Sequence, residues 1–196
     1  MRINKTRRRV LYVSLAAATV RSFGATQPPP QPRHRYDNGK AFKYAKDYCS
    51  KSENSCGVFL KADNLSDCSH FIAHCLAAGG IEVKNPDKSN ALCPKGLAVR
   101  SADIENELRA LAKKYKNVFE IDLSDAIVGD VGFLKNLRPA RGGYVPTHAF
   151  MISKPGNYRA GLAKPFVWSH TANRCDSEMD IQIAGYFSSA FRLEDG

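Results

Sequence analysis

No apolar run in this 196-residue chain reaches the 18 or more residues that a membrane-spanning helix needs, so a helical span is excluded. No internal repeat is present, which sets aside solenoids and propellers. Glycine (14) and proline (10) are too few for a collagen-like chain, and 43% hydrophobic residues are too many for a largely disordered one. Acids are missing from one end: residues 1–25 hold Arg2, Lys5, Arg7, Arg8, Arg9 and Arg21 and no Asp or Glu. The formal charge of +10 is concentrated there, since setting those six bases aside leaves 23 basic residues against 19 acidic, a balance of +4. Both signs are interspersed in the remainder, with no repeated basic-aromatic spacing, so nucleic acid is not an expected partner. What is left is one ordinary globular domain with an appendage.

The appendage reads as an address. A basic stretch leads into Val10 to Val20, too short to cross a bilayer, and then into Gly24 and Ala25, where a signal peptidase can cut. The run Thr6-Arg7-Arg8-Arg9-Val10-Leu11 resembles a twin-arginine export signal, and Arg21 resembles the charge such signals carry before their cleavage site. Residues 1–25 are therefore expected to direct export to the periplasm or beyond, with no membrane segment in the mature chain; a basic N-terminus on a cytosolic protein is the alternative. Residues 26–35 carry four prolines and no aliphatic side chain, and read as an extended linker. The folded domain is expected over 36–196.

Asp37 is placed to cap a helix whose inward stripe is Ala41, Tyr44, Ala45 and Tyr48, with lysines at 40, 43 and 46 facing out. A second helix with its entry loop spans 64–80. A third starts at Ser101 or Asp103 and puts Ile104, Leu108, Leu111 and Tyr115 on one face. Strands are expected at 118–121, 131–134, 149–152, 166–169 and 181–187, where branched and aromatic residues run between Gly, Pro and Asn. Helices first and strands afterwards give an α+β fold, with the N-terminal helices packed on an antiparallel sheet. The basic segment 135–147 reads either as a substrate-contacting lid or as a solvated hairpin connection.

Chemistry concentrates in the second helix, which is expected to start just after Asp67, with that carboxylate capping its first turn. Cys68 then lies at the positive end of the peptide dipoles, which favours thiolate over thiol. At about 100° per residue, Phe71, Ile72, Cys75 and Leu76 share its face and aim it inward, while His70 and His74 fall on the opposite arc. The i, i+4 histidines also have the spacing of a metal-ligand pair, but the Glu of the protease motif and a nearby third ligand are missing. Two polar residues on the solvent side of an amphipathic helix is the preferred reading. A base for Cys68 must come from elsewhere, and two histidines sit at strand ends: His148 opens His-Ala-Phe-Met-Ile and His170 closes Phe-Val-Trp-Ser-His. Adjacent antiparallel strands would bring them side by side, where one imidazole can take the thiol proton and a second polar group can orient it.

The stretch Asn64-Leu-Ser-Asp-Cys-Ser-His-Phe-Ile-Ala-His-Cys-Leu-Ala-Ala-Gly-Gly80 resembles the nucleophile helix of the putative amidase domain family, within the NlpC-type papain-like cysteine peptidases. Residues 36–48, Val128-Gly-Asp-Val-Gly-Phe133, His148-Ala-Phe-Met-Ile152 and Trp168-Ser-His-Thr171 resemble further family segments in the family's order. The resemblance implies a papain-like core and cysteine-dependent cleavage of amide bonds, commonly in bacterial cell-wall peptides. Cys68 would be the nucleophile, His148 the general base and His170 the orienting third member. Attack on the amide carbonyl would give a thioester that water hydrolyses, with helix-start N-H groups stabilising the oxyanion and no metal or organic cofactor required. Peptidoglycan or a cell-wall peptide is then the expected substrate, and an inhibitor or immunity protein the partner such a role would add.

Six cysteines, at 49, 56, 68, 75, 93 and 175, leave several pairings open. With Cys68 reserved and Cys75 on the buried stripe, Cys49 with Cys56 would close a short loop and Cys93 with Cys175 a long one in an oxidising compartment. Two other classes compete with the hydrolase. One is a catalytically idle papain-like domain that binds wall peptides or a partner protein, and the other is a zinc protein using His70, His74 and cysteines.

Overall fold

The computed structural model describes residues 30–51, 54, 56–57, 67–86, 93–138, 143–159, 162–170, 174–182 and 187–196. Residues 1–25, expected to direct export, and the start of the expected linker lie outside them. One compact unit runs from Gln31 to Gly196. Its first residues are pinned by Asn117, whose Oδ1 accepts from His34 N (2.7 Å) and whose Nδ2 donates to His34 O (2.9 Å) and to Glu194 O (2.8 Å). One buried amide therefore ties both ends of the domain together. Among the described residues no helix is long and apolar enough to cross a membrane.

Among the described residues three helices precede the sheet: α1 (Asn38–Tyr48), α2 (Asp67–Ala78) and α3 (Ser101–Lys114). Asp37 caps α1 by accepting from Lys40 N at 2.9 Å, and Ala41 and Ala45 of the expected stripe are fully buried. At the other end of α2, Ile81 N donates to Leu76 O (2.8 Å) across Gly80, whose φ of +102° suits the left-handed residue that ends a helix this way. A Cβ on Gly80 would lie 2.9 Å from Arg35 O, so this position needs glycine on both counts.

Seven strands follow: β1 (Val118–Ile121), β2 (Val131–Arg138), β3 (Gly143–Arg159), β4 (Leu162–Ser169), β5 (Arg174–Glu178), β6 (Ile181–Gln182) and β7 (Phe187–Leu193). They form one antiparallel sheet in the order β1-β7-β2-β3-β4-β5, with β6 pairing β4. The fold is α+β. Strand alternation gives the sheet two faces. Phe133, Ala149, Met151, Trp168 and Phe191 join the helices in the main core, while Phe150, Ile152, Val167 and Ala190 pack with Leu123, Ala126, Met179 and Ile181 in a second cluster. Helix α2 packs on α1, on α3 and on β3 and β4.

Three expectations need correction. Segment 135–147 is mainly ladder: Lys135 pairs Pro146, Asn136 pairs Val145 and Leu137 pairs Tyr144 within the β2-β3 hairpin. The single strand expected over 181–187 is two, β6 on β4 and β7 between β1 and β2. The disulfide joins Cys49 to Cys175, with a Cα-Cα distance of 5.3 Å, in place of Cys49-Cys56 and Cys93-Cys175. The fold carries β5 to the C-terminal end of α1, a long-range approach that short-loop reasoning does not see. The other four cysteines carry thiols.

Candidate active site and a second Cys-His cluster on one helix

Cys68 stands in the first turn of α2 and is fully buried. Phe71, Ile72, Cys75 and Leu76, expected on its face, are fully buried too. Cys75 packs in the main apolar core, whereas Cys68 belongs to neither apolar cluster. Its Sγ lies 3.7 Å from Ser69 Oγ, which is 2.6 Å from Ser101 Oγ of α3. Asp67, one residue earlier, is expected as a cap, but its carboxylate is engaged by two imidazoles and an amide. Oδ1 accepts from His70 Nδ1 (3.1 Å), and Oδ2 from His170 Nδ1 and from Asn54 Nδ2 (3.0 Å). A carboxylate 3% exposed is satisfied here by three donors, which meets the requirement that buried polar groups be paired.

Of the two strand histidines, His170 contacts this end of α2 through Asp67, while His148 contacts Ser169 on the neighbouring strand. His148 lies on β3 opposite Leu134 of β2, half-buried, with Nε2 3.5 Å from Ser169 Oγ on neighbouring β4. His170 follows Ser169 directly and is 2% exposed. Besides its bond to Asp67, its Nε2 donates to Tyr48 O at the end of α1 (2.8 Å), and its ring stacks on Phe71 with centroids 4.2 Å apart. Dipeptide Ser169-His170 thus touches His148 through one residue and the Asp67-Cys68 step through the other. His170 is locked by Asp67 and Tyr48, so its described ring contacts run toward the helix rather than toward a base on β3.

His70 and His74 lie on the far arc from Cys68 but not in solvent: they are 0% and 2% exposed. The solvent-side reading fails because α2 is a central helix, buried from Asp67 to Leu76 around its whole circumference. Their Nε2 atoms face each other at 3.1 Å, Cys56 Sγ lies 3.2 Å from His74 Nε2 and 3.5 Å from His70 Nε2, and Cys93 Sγ lies 3.7 Å from His74 Nε2. All four ligand-type atoms fall within 4.8 Å of one another. Burial, followed by neighbouring His70, pulls His74 down to about 3 and keeps it neutral near pH 7. Burial is the largest influence on His70 and opposes its charge, but hydrogen bonds and charge from Asp67 and Cys93 together outweigh it and leave the ring above its ordinary value. For Cys93 burial is outweighed by hydrogen bonds led by that from His70, which lower the thiol.

Sequence reasoning missed the roles of Asn54, Cys56 and Cys93, and read Asp67 only as a cap. The spacing Cys56-x13-His70-x3-His74-x18-Cys93 was the available signal: a helical histidine pair with one cysteine on either side.

A buried thiol stands at the start of α2, beside an aspartate that bonds His170, and His148 lies on the neighbouring strand. The chain belongs to the family described as Putative amidase domain, whose sequence profile matches residues 35–193. That family points to amide hydrolysis. No curated protein and no solved structure matches the chain.

Proposed function

We propose that the protein is an exported cysteine hydrolase with a papain-like core that cleaves amide bonds in peptidoglycan peptides. Cys68 is the nucleophile, His148 the general base and His170 the positioning third member. In this proposal residues 1–25 are the export signal, 26–35 the linker and 36–196 the amidase domain. The observation that carries it is the bond from Asp67, next to Cys68, to His170 just past β4, with His148 on neighbouring β3 3.5 Å from Ser169 Oγ. His148 takes the Cys68 proton, the thiolate adds to the amide carbonyl, and backbone N-H groups of the first turn meet the oxyanion. The imidazolium then protonates the leaving amine, and a water activated by the same ring releases the acid and restores the thiol.

Full burial of Cys68 favours a second reading, an idle papain-like domain that binds wall peptides. Incubation of purified wall fragments with the protein, read by product mass, separates the two. New amine and carboxylate ends from the wild type and none from Cys68→Ala, a loss of at least about a thousandfold, are expected. Undiminished products from the variant would remove Cys68 from the chemistry, and binding without products from the wild type would establish the idle domain.

A further inference from the structure

We infer that Cys56, His70, His74 and Cys93 form a structural Cys2His2 zinc site, independent of the reaction proposed above. The distances are the first ground. Zinc bound at about 2.05 Å to nitrogen and about 2.3 Å to sulfur in a tetrahedron places its nitrogens about 3.3 Å apart and each nitrogen about 3.6 Å from each sulfur. The corresponding separations are 3.1 Å between the two Nε2 atoms and 3.2, 3.5 and 3.7 Å for three nitrogen-sulfur pairs.

The second ground is the orientation of the rings. His70 Nδ1 lies 3.1 Å from Asp67 Oδ1 and 3.2 Å from Asn54 Nδ2, and donation to the carboxylate, which can only accept, leaves the Nε2 lone pair for the cluster. A carboxylate behind a ligating imidazole is the usual support for a zinc-bound histidine. His74 presents its own Nε2 to the same centre. Two facing ring nitrogens share at most one proton in the absence of a cation, whereas a divalent ion uses both lone pairs.

Charge is the third. Binding of Zn2+ by two thiols and two neutral imidazoles releases two protons and leaves a site of zero net charge, suited to burial at 0% to 2% exposure for the histidines and 1% for Cys93. All four positions are filled by protein, so no site is left for water or substrate, and the role is structural. His74 also lines a cleft with Tyr44, Glu82, Lys95 and Leu97, which provides an entry path. The ion would fasten the segments carrying Cys56 and Cys93 to α2. Through His70 and Asp67 it would also steady the helix start that bears Cys68.

The test uses the full chain, purified without chelator, with zinc counted by mass spectrometry and cobalt(II) exchanged for it. One ion per chain is expected, with thiolate-to-cobalt charge-transfer absorption. Stripping the metal should lower Tm by about 10 °C or more and open Cys56 and Cys93 to alkylation. Cys93→Ser and His74→Ala should each lose the bound ion, while Cys68→Ala keeps it in full. The cobalt spectrum of the wild type reads the site even where a ligand variant does not fold. A cooperatively folded wild-type protein that takes up neither zinc nor cobalt, a Cys56-Cys93 disulfide in it, or loss of metal from Cys68→Ala would overturn the assignment.

Discussion

Two Cys-His assemblies grow from one helix, and they differ in what their histidines face. On one arc of α2, His70 and His74 turn bare ring nitrogens toward each other and toward two sulfurs. Elsewhere, the ring nitrogens of His170 meet oxygen acceptors, Asp67 and Tyr48 O, and His148 on β3 meets a hydroxyl. Convergent ring nitrogens and sulfurs suit a divalent cation. Imidazoles held by oxygens keep their protons and can orient or transfer them. Residue type therefore does not separate a metal centre from a proton-transfer centre; the partner of each ring nitrogen does. Asp67 sits between the two, giving one oxygen to each.

The sharpest way to break this comparison is a substitution that should affect one assembly alone. His148→Ala removes the proposed base and should lower turnover of wall fragments by about a hundred- to ten-thousandfold, with bound zinc still at one per chain. His170→Ala should cost less turnover and more stability, because it strips partners from buried Asp67 and from Tyr48 O, about 2 kcal/mol or more in denaturant melts. If His148→Ala also discharged the metal, the two assemblies would be one site.

The disulfide gives the next largest effect, since Cys49 and Cys175 belong to neither assembly. They close a separation of 126 residues, and loop-closure entropy alone assigns such a link up to about 5 kcal/mol. Cys49→Ser with Cys175→Ser should lower the denaturant midpoint accordingly, with metal stoichiometry unchanged and Cys68 still a thiol in the mass map. Recruitment of Cys56 or Cys93 into a replacement disulfide would show that the cluster sulfurs are not held by a metal.

What was legible in the sequence was what depends on neighbours along the chain. The Asp37 cap, the Ala41 and Ala45 stripe, the face of Ile104, Leu108 and Leu111, and the inward aim of Cys68 all follow from helical period and capping. Strand β5 was missed because Arg-Cys-Asp-Ser-Glu at the sheet edge carries no apolar alternation. The hairpin arms beyond Leu134 were masked by glycine, proline and arginine, residues that suit a protruding ladder as well as a loop. The wheel misplaced His70 and His74 because it assumes that a helix has one wet side, whereas neighbouring elements cover α2 all round. Cysteine pairing depends on topology, which spacing does not encode: Cys49 found Cys175, and Cys56 and Cys93 came to the histidines.

The smallest effect expected comes from a buried charge whose named partners belong to neither assembly, a control for the comparison. Glu105 of α3 is 5% exposed and accepts from Lys135 Nζ (2.6 Å), Ser189 Oγ (2.7 Å) and Arg109 (2.9 Å), joining α3 to β2 and β7. Burial pushes its carboxyl up, but Lys135, Ser189 and Arg109 together hold it below the ordinary 4.5. A carboxyl depressed in the folded state binds its proton more readily once unfolded, so its contribution is complete above pH 4.5 and disappears as pH falls through the folded value. Glu105→Gln should thus cost about 1–3 kcal/mol at pH 7, read from denaturant midpoints, and the gap to wild type should close on acidification through that window. Zinc content at pH 7 should stay at one per chain. A gap that persisted unchanged at pH 3 would mean that Glu105 acts through packing and not through its charge.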